Sequence, residues 1–270
     1  MNICHLHRFF LLIALFCSVK ICCSQQVPTA QLRQIESKIR RVKCDKENAT
    51  ILIDGPINPK KWYECKSPTD YRIVFLLKEA YGAENQGVLR IDSIQKGFSS
   101  LLSMDAGEGR PTYDPMVAIA NMLVMNQEYG QVDRNSTSAY KIFKENSAVV
   151  EVKKEYGTSK STNSNIRRHA IDNRNLIEEQ ICIYNPNVVI ICGNNLYEGI
   201  FITHDVLGHK VFGVTANGSG KLRVNNKFSY YYNDHCIYIN TYHPSARVNK
   251  TDYCTEIVEV VRKWMEEKEK

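Results

Sequence analysis

The sequence predicts an α/β fold built on a largely parallel sheet. Four short stretches rich in apolar and β-branched residues are typical of strands buried on both faces, at 71–77, 148–152, 187–192 and 235–240. Segments with helical periodicity separate these stretches, and strands that alternate with helices favour parallel pairing. With 43% hydrophobic and 24% charged residues, the chain has the composition of a globular protein, which excludes wholesale disorder.

The segments around the strands predict five helices. Leu32, Ile35 and Ile39 follow one helical face in segment 30–43, and segment 114–129 begins with Asp-Pro, a favoured helix start. Further helices are expected at 165–184, 196–201 and 251–268. Segment 215–227, which contains two glycines, predicts a hairpin or a flap.

The first 24 residues have the pattern of a secretory signal peptide. A basic residue precedes an apolar run at 9–19, which at 11 residues is too short to span a bilayer comfortably. An anchor, or an apolar leader on an intracellular protein, is the alternative, so localisation stays open between export and retention. We expect a leader (1–24), a peripheral helix and linker (25–53) and one domain (54–270). The chain is expected to be monomeric and, once the leader is removed, without stable membrane association.

Six cysteines follow the leader, an even number that is compatible with disulfides. Cys182, Cys192 and Cys236 lie in apolar stretches, and we interpret these three as buried free thiols. No Cys-x-x-Cys pair occurs beyond the leader, so neither a structural zinc nor an iron–sulfur cluster is predicted. We expect no metal and no cofactor.

Polar side chains follow each of the predicted strands. In open α/β sheets, ligands bind beyond the carboxyl ends of the strands. That rule selects Lys-Glu-Ala-Tyr-Gly at 78–82, Glu151 with the lysines after it, Gly-Asn-Asn at 193–195, and Thr-Tyr-His-Pro-Ser at 241–245.

Two of these strings resemble the motifs of the uracil-DNA glycosylase superfamily, most closely its divergent glycosylase-like branches. Glu-Ala-Tyr-Gly at 79–82 is similar to a Glu-Ala-Pro-Gly first motif, and His-Pro-Ser at 243–245 matches the second motif. They stand in the right order, about 160 residues apart. The resemblance covers residues 54–270 and implies a three-layer α/β/α domain with a central, mostly parallel four-stranded sheet.

The resemblance also implies a function, hydrolysis of the N-glycosidic bond of a base in single- or double-stranded DNA, as in DNA repair. Glu79 would stabilise the sugar cation and position water, and His243 would donate a hydrogen bond to the departing base. The candidate base-binding residues are Tyr81, Gly82, Glu151 and Asn194, and Ser245 could bind a flanking phosphate.

The sequence departs from the family pattern at two places. Glu151 stands where well-studied members carry an Asn that recognises uracil, and an ionised carboxylate only accepts hydrogen bonds. Ala-Arg-Val at 246–248 replaces the DNA-intercalating leucine. Another base, or a non-catalytic nucleic-acid- or nucleotide-binding module on the same fold, therefore stays open. A disulfide-stabilised secreted hydrolase on an unrelated α/β fold is a third hypothesis.

The charge is modest but locally concentrated. The chain carries 35 Lys and Arg against 29 Asp and Glu, a net +6 that permits an acidic partner without requiring one. Segment 153–169 combines cations with Ser, Thr and Asn, a composition that phosphate backbones attract. The predicted phosphate-binding residues are Lys153, Lys154, Arg167 and Arg168, and a solvated surface loop is the alternative.

Overall fold

The computed structural model describes residues 28–45, 49, 51–64, 70–80, 111–156, 161–205, 208–222 and 228–268. The predicted signal peptide lies outside these residues. The helices of the described chain are α1 (Thr29–Ile39), α2 (Pro59–Tyr63), α3 (Tyr113–Val124), α4 (Thr137–Asn146), α5 (Asn163–Asp172), α6 (Arg174–Tyr184) and α7 (Lys250–Lys268). The strands are β1 (Gly55–Pro56), β2 (Ile73–Leu77), β3 (Ser147–Glu151), β4 (Val188–Ile191), β5 (Ile202–Asp205), β6 (Gly208–Val211), β7 (Val214–Ala216), β8 (Gly218–Leu222), β9 (Phe228–Tyr232) and β10 (Ile237–Asn240).

The central sheet is mixed, with the order β1-β3-β2-β4-β10-β9-β8. The four strands predicted from apolar runs, β3, β2, β4 and β10, are parallel neighbours, and their side chains are buried. Strands β1, β9 and β8 extend the sheet in antiparallel pairing. The mixed α/β class is confirmed, but the sheet has seven described strands rather than four. The added strands are short or lie at the edges, so they lack the long buried apolar run that predicted the inner ones.

A second sheet was not predicted. Strands β5, β6 and β7 form a three-stranded antiparallel sheet after β4. Several of its side chains are exposed, so its sequence lacks a continuous apolar signal. The segment 215–227, expected to be a hairpin or a flap, contains β8, which pairs with β9 just beyond it; residues 223–227 lie outside the described chain.

The helices form two sets by contact. Helix α6 packs against α1, α5 and β1, whereas α3 packs against α4 and α7. Helix α2 joins α4, and the Trp62 indole donates a hydrogen bond to the carbonyl of Tyr184 at the end of α6, 3.0 Å away. No described helix combines the length and the apolar character that crossing a bilayer requires.

Several predicted helix boundaries were wrong. The helix expected over 165–184 is divided into α5 and α6 at Asn173, whose backbone (φ −96°, ψ 6°) leaves helical geometry and whose side chain donates to the carbonyl of Val152 at 3.0 Å. The helix expected over 114–129 ends at Val124, before Asn126 in a left-handed conformation (φ 52°). A 3₁₀ turn at Asn194–Tyr197 replaces the helix expected over 196–201.

The segment expected to be a peripheral helix and linker is part of the core. Leu32, Ile35 and Ile39 are fully buried where α1 meets α6. Leu52 is 1% exposed, and its backbone N–H donates to the Lys154 carbonyl at 2.8 Å. These described residues before position 54 therefore pack in the same core as the sheet.

Five described cysteines, Cys44, Cys182, Cys192, Cys236 and Cys254, are free thiols, and Cys65 lies outside the described chain. Burial of Cys192 and Cys236 is confirmed. Burial of Cys182 was wrong, because this residue lies on the exposed side of α6.

Candidate functional site

The predicted site residues of the described chain meet at the carboxyl edge of the parallel strands. Glu79 follows β2, Glu151 ends β3, Asn194 follows β4, and His243 follows β10. We call these four residues the candidate site. Tyr81 and Gly82 lie outside the described residues.

Backbone hydrogen bonds hold the strand ends together beyond the sheet itself. The Val152 N–H donates to the Leu77 carbonyl at 3.1 Å, which joins the ends of β3 and β2. The Asn194 N–H donates to the Thr241 carbonyl at 2.7 Å, which joins the ends of β4 and β10. The loops that carry the candidate site are therefore extensions of one rigid edge.

Glu79 is a buried carboxyl group, 3% exposed, with two polar neighbours. The Ser161 hydroxyl donates to its Oε2 at 2.7 Å, and the Lys153 ammonium lies 3.8 Å from the same oxygen. The Glu79 side chain therefore lies between a hydroxyl donor and an ammonium group at the edge of the sheet.

Glu151 is buried without a hydrogen-bond partner for its Oε2. Burial, followed by the Asp54 carboxylate, raises its pKa from 4.5 to about 8, although the Lys154 ammonium acts in the opposite direction. Near neutral pH, Glu151 is therefore largely protonated. A protonated carboxyl group both donates and accepts hydrogen bonds, which removes the restriction that the sequence suggested for an ionised side chain.

His243 is a neutral imidazole with an assignable tautomer. Its Nδ1 lies 2.7 Å from the Ser245 hydroxyl and accepts from the Ser245 backbone N–H at 3.3 Å. Because a backbone N–H only donates, Nδ1 is the acceptor and the ring proton is on Nε2. Burial, then the Lys78 and Lys250 ammonium groups, lowers the pKa of His243 from 6.5 to about 4.

The loop that carries His243 is tied to helix α7 by contacts that the sequence analysis missed. The Lys250 ammonium donates to the Pro244 carbonyl at 2.7 Å and also to the Ala246 carbonyl. The Tyr253 hydroxyl donates to the Tyr242 carbonyl at 3.1 Å. Lys250 and Tyr253 are seven and ten residues beyond His243, and only a helix start at this place brings them back to the loop.

Asn194 has an unusual backbone and a free acceptor. Its φ of 51° is left-handed, a conformation that Asn tolerates better than most residues. Its side-chain Oδ1 is buried and has no hydrogen-bond partner in the described chain. Gly193 precedes it, and a β-carbon there would lie 2.2 Å from the Tyr197 ring. A side chain at position 193 would therefore displace the Tyr197 ring and disturb the turn that carries Asn194.

The predicted phosphate-binding lysines lie in ion pairs. Lys154 is 1% exposed and its ammonium contacts the Asp54 carboxylate at 2.7 Å. Lys153 is 6% exposed and lies among three carboxylates, those of Asp45, Glu79 and Glu155. Buried cations require partners of opposite charge. Both ammonium groups have such partners within the protein.

The predicted phosphate-binding arginines lie on the exposed side of α5. Arg167 donates to the carbonyls of Leu196 and Glu198 at 2.7 and 3.2 Å. Arg168 contacts the Asp45 carboxylate and, at 3.8 Å, the Asp172 carboxylate. Ser245 is exposed, and its hydroxyl faces His243.

A buried polar network supports the end of β3. The Asp54 carboxylate accepts from the Glu151 backbone N–H and, at 2.8 Å, from the Gln180 amide. The Tyr184 hydroxyl donates to the Asp54 carbonyl at 3.0 Å. No local pattern predicts this network, because Gln180 and Tyr184 are distant from Asp54 in sequence and lie among apolar helix positions.

One cluster has the donor types that a metal ion prefers. Ligand atoms of Asp45, Glu155 and His169 lie within 4.8 Å of one another. The Lys153 ammonium is 3.6 Å from Asp45 and 3.2 Å from Glu155, and the His169 Nε2 is 3.0 Å from Asp45. Lys153 thus supplies within this cluster the positive charge that a metal ion would bring.

Comparisons of the chain with family models, curated proteins and solved structures found no match.

Proposed function

We propose that the protein is a DNA glycosylase, which hydrolyses the N-glycosidic bond of uracil or another deaminated base in DNA. The observation that carries this proposal is the placement of the Glu79 carboxylate and the neutral His243 imidazole at one sheet edge. The sequence resemblance in both strand-end motifs supports the same assignment.

The two residues meet the opposite charges of the transition state. As the bond breaks, positive charge develops on the sugar and the electron pair leaves with the base. Glu79 stabilises the sugar cation and takes a proton from the attacking water. His243 donates its Nε2–H to the base oxygen on which negative charge develops, and solvent then protonates the released base.

Glu151 supports recognition of the base. In its protonated form, the side chain donates from one oxygen and accepts at the other. A deaminated pyrimidine or purine presents a carbonyl next to a ring N–H, which is the complementary pattern. Glu151 Oε2 and Asn194 Oδ1 have no hydrogen-bond partner among the described residues, which supports a role for them in such contacts.

The proposal includes a three-layer arrangement of the helices and the sheet. The set α1, α5 and α6 and the set α3, α4 and α7 would cover opposite faces of the four parallel strands, as a three-layer α/β/α domain. Their separate contacts support this arrangement. The mechanism uses no metal or cofactor, and a monomer is sufficient for it.

A base-release assay tests the catalytic roles. The purified protein is incubated with single- and double-stranded DNA that carries uracil, hypoxanthine or another deaminated base, and free base is measured. Wild type is expected to release one of these bases. Glu79→Gln and His243→Ala are expected to slow release by about 100-fold each, because each removes one charge-stabilising contact.

Matched controls are Glu266→Gln and His235→Ala, which change exposed residues of the same types. Wild-type rates in Glu79→Gln and His243→Ala would refute the assigned roles. DNA binding without release of any base would leave the binding module as the function.

A further inference from the structure

A groove lies between the end of α1 and the junction of α5 with α6. Its volume is about 640 Å³. Its charged lining residues are Lys38, Arg41, Lys43, Arg168, Asp172 and Glu179. We call this the α1 groove. The sequence analysis did not assign it a role, because its two walls are more than 120 residues apart in the chain.

The lining is positively charged, and two of its cations are not used in ion pairs within the described chain. Glu179 is held by Lys38, and Asp172 faces Arg168 at 3.8 Å. Arg41 and Lys43 are exposed and have no ion-pair partner among the residues that the structure describes. These two side chains can therefore bind an anion that is not part of the protein.

The segment that forms one side of the groove carries a net positive charge. Residues 28–45 contain five Lys and Arg against two Asp and Glu, a net +3 out of the +6 of the whole chain. Lys153 and Lys154, which made segment 153–169 look basic, are buried in ion pairs. The exposed cations that line the groove, Lys38, Arg41, Lys43 and Arg168, therefore come mainly from the end of α1 and the residues after it.

A chain of contacting charged side chains links the groove to the candidate site. Arg168 on its wall contacts Asp45, whose carboxylate lies 3.6 Å from the Lys153 ammonium. The same ammonium lies 3.8 Å from Glu79. A ligand seated in the groove is thus separated from Glu79 by a short chain of charged side chains.

We propose that the α1 groove binds the phosphodiester backbone of a single nucleic-acid strand through Arg41 and Lys43. The choice of nucleic acid among polyanions rests on the proposed function. The described residues that line the groove include no aromatic side chain, so they offer charge without a platform for stacking bases. The contact is therefore independent of base sequence.

Binding is tested with the full chain and a fluorescently labelled oligothymidine strand, by anisotropy over a series of salt concentrations. The variant Arg41→Gln/Lys43→Gln is compared with wild type and with Lys141→Gln/Lys263→Gln. The control pair removes two exposed cations from α4 and α7, so the net charge changes equally. All four positions are exposed, and thermal melting confirms that both variants are folded.

The groove variant is expected to bind at least tenfold more weakly than wild type at low salt. Its slope of log affinity against log salt is expected to fall by about 1.4, since each phosphate contact on a single strand contributes about 0.7. The control pair is expected to keep the wild-type affinity and slope. Equal losses in both variants, or none in the groove variant, would overturn the proposal.

Two further measurements separate the possible failures. Heparin that binds the groove as tightly as the strand would overturn the choice of nucleic acid. Base release is measured in parallel: groove-dependent binding without release would reject the glycosylase and retain the groove. Release with groove-independent binding would reject only the groove.

Discussion

Glu151 places a carboxyl group with an unpartnered oxygen among buried side chains at the end of β3. Its folded-state pKa of about 8 exceeds the ordinary value of 4.5. Between these pH values, the folded protein holds a proton that the unfolded chain has released. Glu151 therefore makes the free energy of unfolding fall as pH rises through this window, by up to about 1.4 kcal/mol per pH unit.

Glu151→Gln removes this titration while keeping the shape of the side chain. The free energy of unfolding of the variant, relative to wild type, is expected to increase from pH 5 to pH 8, because only in wild type does unfolding release a proton from this side chain. Urea unfolding of both proteins at the two pH values measures this difference. In the exposed control Glu267→Gln, the difference should not change with pH. A flat difference for Glu151→Gln would show that the residue is ionised in the folded protein.

Single residues of the candidate site differ in how far the sequence predicted them. Glu79 and His243 follow strands whose apolar runs are clear, and both lie at the carboxyl edge as expected. Ser161 and Lys250 were not predicted, because their contacts with Glu79 and with the His243 loop depend on where other elements pass. The protonation of Glu151 depends on burial, which no local pattern of residues specifies.

Asn173 shows how one side chain sets the limits of two elements. The apolar positions of α5 and α6 run on with helical spacing, so the pattern alone predicts one helix. Asn173 is a polar residue within this apolar spacing. Its side-chain amide donates to the buried carbonyl of Val152, just after β3. The break between the helices therefore fixes the helix pair against the strand end that carries Glu151.

Asn173→Ala is expected to lower the free energy of unfolding by about 1–3 kcal/mol, because the buried Val152 carbonyl loses its donor. Urea unfolding measures the change. Asn175→Ala, two residues away and exposed, is the control and should stay within about 0.5 kcal/mol of wild type. A loss no larger than that of the control would mean that the Val152 carbonyl finds another donor.

At the scale of the whole molecule, helix α1 packs against the domain that was predicted to begin after it. Leu32, Ile35 and Ile39 are completely buried, and Asp45 accepts hydrogen bonds from Asn165 and the neighbouring Arg168 of α5. Helix α1 is thereby attached through both an apolar face and a polar cluster. This attachment also creates one wall of the α1 groove.

Ile35→Ala tests this integration. The variant is expected to lose about 2–5 kcal/mol of unfolding free energy, the usual cost of removing a large aliphatic side chain from a packed core. Gln34→Ala, on the exposed side of the same helix, should change it by no more than about 0.5 kcal/mol. If unfolding of the sheet is unaffected by Ile35→Ala, helix α1 is an appendage rather than part of the cooperative unit.

The sequence by itself determined the class of fold, the four inner strands and the places where polar residues follow them. It did so because a strand buried on both faces needs a continuous apolar run, and because parallel strands bring their carboxyl ends to one edge. Tertiary structure alone decided the charge state of Glu151, the tautomer of His243, the pairing of Lys153 and Lys154 and the position of the exposed cations. These properties depend on burial and on neighbours that are distant in the chain, and neither is encoded in local spacing.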